Sequence, residues 1–277
     1  TAGHADVAAL VFEDIDVTPF IPLLQEGDNV LAIQGLNVAA NDSDFLIVPQ
    51  LIGRKVNQTP DRYFATPTPG TVNGGGALGI VADTKFSVDR GFYDIPFTVA
   101  ITSATTGAEI RFTTNNEVPS AVSGNLYTNP IPISRTTVLR AIATKPGWLP
   151  SDVDTHTYVF LSNTLAQTFQ TATNAGMPAS WTNSAWPSVV ADYAMDQTII
   201  ATNAAAVASA LRSLPSIFLS ATTSNLFHTT NGIYTHPTSH GVVWERPTSM
   251  EMIGTNGQTE FSLNCGLRVQ GGAFRGF

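Results

Sequence analysis

The sequence predicts a mainly β protein. Two β-sandwich modules, the first incomplete, precede the truncated α+β start of a third domain. Three observations predict this. Charged residues make up only 12% of the 277 residues, about half the usual share. Thr, Asn, Ser, Gly and Pro fill the gap, as in many exported β-rich proteins, since strands favour Thr and Val while turns need Gly, Pro and Asn. Short alternating apolar and polar runs are punctuated by Gly, Pro or Asn roughly every ten residues. Past Leu214, a short strand, a helical turn and a long hairpin follow one another in one segment.

The same composition limits function. The net charge is −8 and no Lys/Arg cluster exists, so the basic footprint that a nucleic-acid partner needs is missing. No apolar run approaches the roughly 20 residues that span a bilayer, so no membrane span is expected. Cys265 stands alone, on the apolar side of an alternating run. It reads as a small hydrophobe rather than a nucleophile or ligand. The chain opens at Thr1 in what reads as the interior of a domain, as a piece cut from a longer protein.

Residues 1–53 read as the last strands of a sandwich. Val11–Val17 alternates apolar with acidic residues, Pro19 and Pro22 break that strand, and Glu26–Asn29 is a turn. Asn29–Gly35 and Asp44–Val48 supply two more strands. Asp14 and Asp16 point to one strand face, where they read either as calcium ligands or as a solvated face. The run DVTPFIPLLQEGDNVLAIQGLN resembles the galactose-binding-like jelly rolls attached to exported glycosidases. That resemblance implies the C-terminal part of such a jelly roll. Residues 54–79, with Pro60, Thr66–Gly70 and Asn73–Gly76, form a linker.

The second sandwich is expected over 80–160, as an independent antiparallel unit. Phe97, Val99 and Ile101 alternate with Thr98, Ala100 and Thr102. Glu109–Thr113, Val138–Ala143 and Thr155–Phe160 are further strands, with a turn at Thr106-Gly107. The strings AEIRFTTNNEVPS, LYTNPIPIS, TTVLRAIATKPGWLPS and THTYVF resemble, in order, the chitobiase/hexosaminidase C-terminal type domain, whose fold is immunoglobulin-like. Trp148 and Tyr127 are its candidate carbohydrate contacts, because flat aromatic faces stack on pyranose rings. The other reading folds Trp148, between Gly147 and Pro150, back over the sandwich edge.

Residues 161–212 form a connector. Asn203 is expected to cap a short helix over Ala204–Arg212, and Pro215 follows it. Trp181 and Trp186 are expected to anchor the connector to a neighbouring surface.

In 213–277, Ser216–Ser220 is a strand, Asn225–Phe227 one helical turn and Asn231-Gly232 a turn with positive φ. Met250 and Met252 face one side of the next strand, Ser249 and Glu251 the other. Thr255–Gly257 closes a hairpin. On the return strand Phe261, Leu263, Cys265, Leu267 and Val269 face the core, with Ser262, Asn264, Arg268 and Gln270 on the open face. His228, His236 and His240 read as a polar loop or a zinc pair. Glu245-Arg246, beside Trp244, reads as an ion pair supporting the strands.

LPSIFLSATTSNLFHTTNGIYTHPTSHGVVWERPTSMEMI and EFSLNCGLRVQGGAFR, with the preceding ADYAMDQTII containing Asp192 and Asp196, resemble the CotH (spore coat protein H-like) family, which is distantly kinase-like. The resemblance implies that Arg268, Gly271, Gly272 and Arg275 lie near nucleotide phosphates. Guanidinium forks and free backbone N–H groups suit phosphate oxygens. Gly272-Ala273-Phe274 departs from the Asn-Ser that those relatives carry after the first glycine.

The expected function is that of a non-catalytic portion of an exported, modular, secreted or cell-surface protein with weak carbohydrate contact. Its partner would be a carbohydrate or cell-envelope component. One alternative is part of a CotH-type atypical kinase, whose catalytic residues, ATP and magnesium would belong to the full-length parent. The other is a set of glycosidase accessory modules. No cofactor, metal or enzymatic activity is expected of these 277 residues themselves, because no complete acid, base, nucleophile or metal set is present.

Overall fold

A strand needs a neighbour to satisfy its backbone hydrogen bonds, however well its side chains alternate. The computed structural model describes residues 11, 13–35, 47–53, 61–183 and 187–271, which fall in two units, Thr1–Thr59 and Pro60–Phe277. In the first unit none of the described residues lies in a strand, and all are exposed, Val30 at 92%. The segments expected as strands there do not form strands among the described residues, and Asp44–Leu46 lie outside them. Pro19 and Pro22 do end the alternating run. They sit in a 3₁₀ helix, Thr18–Leu23, with Pro22 inside it, and at Pro19 a missing N–H in the first turn costs little. Asp16 Oδ1 accepts from the Thr18 N–H at 2.8 Å. Those bonds hold its carboxyl below the ordinary value, so Asp16 is engaged as a local cap.

The second unit opens with a sandwich. Its strands are β1 (Thr84–Phe86), β2 (Gly91–Phe92), β3 (Phe97–Val99), β4 (Ile101–Ser103), β5 (Glu109–Thr113), β6 (Asn125–Leu126), β7 (Ile131–Ile133), β8 (Thr137–Thr144) and β9 (Asp154–Val159). One layer is a five-stranded sheet in the order β2-β9-β8-β5-β6. The other is made by the pairs β1–β4 and β3–β7. β3 and β4 are one extended run broken at Ala100. There the Ser87 N–H donates to Ala100 O, and Ser87 Oγ accepts from the Ala100 N–H. The core between the layers joins Val99, Ile101, Ile131 and Ile133 to Leu139, Ala141, Tyr158 and Phe160. Tyr93, Phe97, Tyr158 and Phe160 pack at ring separations of 4.4–6.5 Å, within the range of favourable aromatic pairs.

Two expectations for this sandwich need correction. It is not antiparallel throughout, since β2 pairs in parallel with β9 through Gly91–Tyr158 and Phe92–Val159. Nor does it stand alone. A strand covered on one face should alternate in exposure, yet Leu139–Ala143 of β8 and Thr155–Val159 of β9 are buried continuously. The second cover comes from farther along the chain.

The connector holds α1 (Leu161–Leu165), α2 (Phe169–Asn174), the short pair β10 (Ser180–Trp181) and β11 (Val189–Val190), and α3 (Gln197–Ser213). Thr168 and Thr171 form a reciprocal capping box on α2. The expected helix over Ala204–Arg212 is the second stretch of α3, which itself starts at Gln197. Asp196 is its cap, accepting from the Thr198 and Ile199 N–H groups. Asn203 leaves helical geometry at φ −129°, ψ 16° and marks a kink. Its amide donates back to Ile199 O. Trp181 packs on Phe227 at 4.9 Å and Tyr234 at 5.9 Å, while Trp186 lies outside the described residues.

The final elements are β12 (Ser216–Ser220), α4 (Thr223–Phe227), β13 (Arg246–Ile253) and β14 (Thr259–Leu267), with the sheet order β12-β13-β14. Strands make up 28% of the described residues and helices 18%, a mainly β composition consistent with a sandwich. On β14 the expected alternation holds in part, with Phe261, Cys265, Leu267 and Val269 half-buried and Ser262, Asn264, Arg268 and Gln270 exposed, but the apolar side is not the covered face of the sheet. Ser249, Glu251 and Ile253 are buried, whereas Ile217, Leu219 and Leu263 are about half exposed. The polar face is turned toward the sandwich.

That seam is built from hydrogen bonds and charge. Glu251, fully buried, accepts from the Thr157 N–H at 3.0 Å and from the Thr157 hydroxyl. Arg90 Nε lies 2.9 Å from Glu251 Oε1, an ion pair too bent to count as a hydrogen bond, and Arg90 Nη2 donates to Thr155 O. Asn264 Nδ2 donates to Val153 O at 3.0 Å and Asn116 Nδ2 to Ala221 O. Arg140, 4% exposed, donates to Asn116 O. Burial raises the Glu251 carboxyl against the opposing pull of Thr157 and Arg90.

Candidate functional site

The candidate sugar contacts of the sandwich are both drawn into packing. Trp148 follows a turn in which Gly147 has φ 76° and the Trp148 N–H donates to Lys145 O at 3.0 Å. Its ring lies against Gly79, where a Cβ would come within 2.5 Å of the indole. Lys145 Nζ stands 4.7 Å from the ring centroid. The Tyr127 hydroxyl accepts from the Ile101 N–H at 3.0 Å, which ties the sheet layer containing β5 and β6 to β4, and its ring meets Phe112 edge-on.

A different group of residues converges beside the last sheet. Thr222 caps α4 by accepting from the Asn225 N–H. The chain then folds tightly over the end of that helix. The Gly232 N–H donates to His228 O at 2.8 Å, and the Thr235 hydroxyl to the same oxygen at 2.7 Å. Gly232 is required by close approach, since a Cβ would lie 2.5 Å from His228 N. The expected positive φ is not found there. The His236 N–H donates to Gly232 O, and His236 Nε2 lies 2.8 Å from Thr229 O. With a carbonyl as acceptor, that nitrogen must carry the proton.

Gly241, at φ 87°, turns the chain into the 3₁₀ turn Val242–Trp244. Trp244 is flanked by the His236 ring at 4.9 Å and the Arg246 guanidinium at 5.0 Å. Arg246 is held by Asn231 O at 2.6 Å and Val243 O at 3.1 Å. Glu245 lies across β14 over Gly266, where a Cβ would meet its carboxylate at 2.0 Å. From there Glu245 Oε2 pairs with Arg268 Nε at 3.3 Å. The side chains of this pair are 38% and 47% exposed, so solvent screening leaves it weak.

Together these residues enclose an open cleft of about 390 Å³ that includes His236, Ser239, His240, Trp244, Arg268 and Gly271. Two of the four residues singled out in the sequence for phosphate contact, Arg268 and Gly271, therefore share one site. Gly272 and Arg275 lie outside the described residues. His228 stays apart, its Nδ1 contacting the Thr230 hydroxyl at 2.9 Å. Among the described residues no three His, Cys, Asp or Glu side chains are placed to hold a metal ion. The cleft offers imidazole, indole, guanidinium and hydroxyl groups, and its described lining holds no carboxylate.

From sequence alone His236 and His240 read as a polar loop or a zinc pair, and Glu245-Arg246 beside Trp244 as an ion pair supporting the strands. Their convergence with Arg268 was not foreseen. The available signal was the pair of glycines, Gly232 and Gly241, which bracket a segment short enough to double back. Glu251 was likewise assigned to the right pair of residues on its strand, Ser249 and Glu251, but their face was not seen as a contact.

Comparison with known families gives one match. The family model described as chitobiase/beta-hexosaminidase C-terminal domain matches residues 88–155. No curated protein and no solved structure gives a match. The matched span runs from just before β2 into β9 and contains most of the core strands. The sandwich in the second unit is therefore a β-sandwich of the chitobiase/hexosaminidase C-terminal type.

Proposed function

We propose that the chain is a non-catalytic portion of an exported, modular secreted or cell-surface protein, and that it makes weak carbohydrate contact. The observation that carries this reading is the chitobiase C-terminal-type sandwich, a carbohydrate-associated accessory module in glycosidases. The low charge and Thr/Asn-rich composition agree with it. No helix among the described residues is long and apolar enough to cross a membrane. Titration of the purified chain with neutral and acidic oligosaccharides tests the reading. Binding at millimolar concentration or tighter is expected, and no binding to any glycan would leave a spacer role.

A second reading is favoured by the cleft, where Arg268 and Gly271 come together. In it the chain resembles the opening of a CotH-type atypical kinase, and the full-length parent supplies the ATP and magnesium site. Guanidinium and backbone N–H groups around an open space suit phosphate oxygens. Magnesium-ATP titration of the chain and of a longer form tests it. Transfer of phosphate by the longer form alone is the expected result under this reading.

A further inference from the structure

We infer that the cleft beside the last sheet is a carbohydrate contact of this chain and takes an anionic, carboxylate-bearing sugar. This rests on the carbohydrate reading above and moves the contact away from the two sandwich aromatics. The argument begins with charge. The chain carries 21 acidic residues against 13 basic ones. The described lining of this cleft nevertheless contains no acid and brings together Arg268, His236 and His240. Glu245 pairs with Arg268 from outside that lining and offsets its charge, but a guanidinium with donors to spare beside an acid-free lining still favours a negatively charged ligand.

The polar groups extend the argument from an anion to a sugar. Glu245 engages Arg268 through Nε only, and no described residue accepts from its two terminal nitrogens. They form the side of a guanidinium fork that matches a carboxylate. Ser239 and Gln270 also line the cleft. A hydroxyl and an amide can each donate and accept, as a ring bearing hydroxyl groups requires. Trp244 contributes a rigid apolar wall, because the His236 ring and the Arg246 guanidinium both pack against it. The volume of about 390 Å³ is at the small end for a ligand pocket, suited to one or two sugar units rather than an extended chain.

The test is calorimetric or NMR titration of the intact 277-residue chain with galacturonate oligomers, chitin oligomers, inorganic phosphate and ATP. The uronate oligomers are expected to bind at least about tenfold more tightly than the neutral ones, a charged-hydrogen-bond difference. Arg268→Ala should lower uronate affinity by about tenfold or more, and Arg268→Lys should restore part of it. Arg212→Ala makes the same change in net charge at the exposed Arg212–Asp94 pair, outside the cleft lining, and should leave binding unchanged. Equal binding of neutral and acidic oligomers would overturn the inference, as would uronate binding that Arg268→Ala does not alter in a folded chain. Chitin binding that survives Arg268→Ala would overturn it while leaving the carbohydrate reading intact. Binding of phosphate or ATP without binding of any glycan would overturn both.

Discussion

Glu251→Ala is expected to cost the second unit about 4 kcal/mol of stability, because breaking a buried ion pair from one side leaves the other charge uncompensated. The structure supports a value well above that of a surface pair. Glu251 is fully buried and the Arg90 side chain is only 10% exposed. Removal of the carboxylate strands that guanidinium and leaves the Thr157 N–H and hydroxyl without their acceptor. Glu251→Gln keeps the shape and an acceptor for the Thr157 N–H but loses the charge, so about half the cost is expected. Urea unfolding of each variant reads the difference directly. Thermal unfolding should show a fall of roughly 10 °C for the alanine variant in a unit of this size. A loss below about 1 kcal/mol for Glu251→Ala, with unchanged urea dependence, would show that the seam is not a structural contact.

Acid should also destabilise the fold through His156, which burial and the nearby Arg90 hold down to about 3. Its folded pKa lies below the unfolded value of 6.5, so the fold binds fewer protons and stability falls as pH drops from 6.5 toward 3. Unfolding titrations of His156→Phe, which keeps the stacking on Phe86 at 4.2 Å, should be flatter over that window. Burial raises the carboxyls of Asp154 and Glu251. They oppose this trend, since stability is lost as pH rises from their unfolded values toward the raised ones. The difference between wild type and His156→Phe therefore isolates the histidine. Gly232→Ala should destabilise the cleft, since its Cβ meets His228 backbone at 2.5 Å, whereas Gly266→Ala meets the movable Glu245 carboxylate and should cost little. Urea midpoints that rank the two in the opposite order would refute this. Tyr127→Phe should cost about 1–2 kcal/mol by leaving the Ile101 N–H without its acceptor, and an unchanged unfolding midpoint would refute that role.

The sandwich was legible because its signals are local. β5 occupies the predicted Glu109–Thr113, and β8 extends the predicted Val138–Ala143 by one residue at each end. Turn glycines such as Gly107, at φ 76°, sit where the alternation breaks. What covers a face is not a local property. Thr157 is polar and sits in an alternating run, yet it is buried because Glu251, 94 residues later, accepts its N–H. The same cause hides which side of β13 is covered: the alternation separates Met250 and Met252 from Ser249 and Glu251, but only the contact with β9 shows that the Ser249–Glu251 side is the buried one. In the connector, Asn203 was a recognisable helix signal, but propensity could not say whether it starts a helix or kinks one already started by Asp196. In the cleft, Arg268 and Gly271 were singled out by the family resemblance, while His236 and Trp244 join them through the doubling back of the chain at Gly232 and Gly241.

Heteronuclear NMR titration of the intact chain with neutral and acidic oligosaccharides tests the functional account most directly. The account predicts shifts that saturate at millimolar concentration or below and that cluster on Ser239, Trp244, Arg268 and Gly271 for the acidic sugar. Spectra that stay unchanged with every glycan up to millimolar concentration would contradict it.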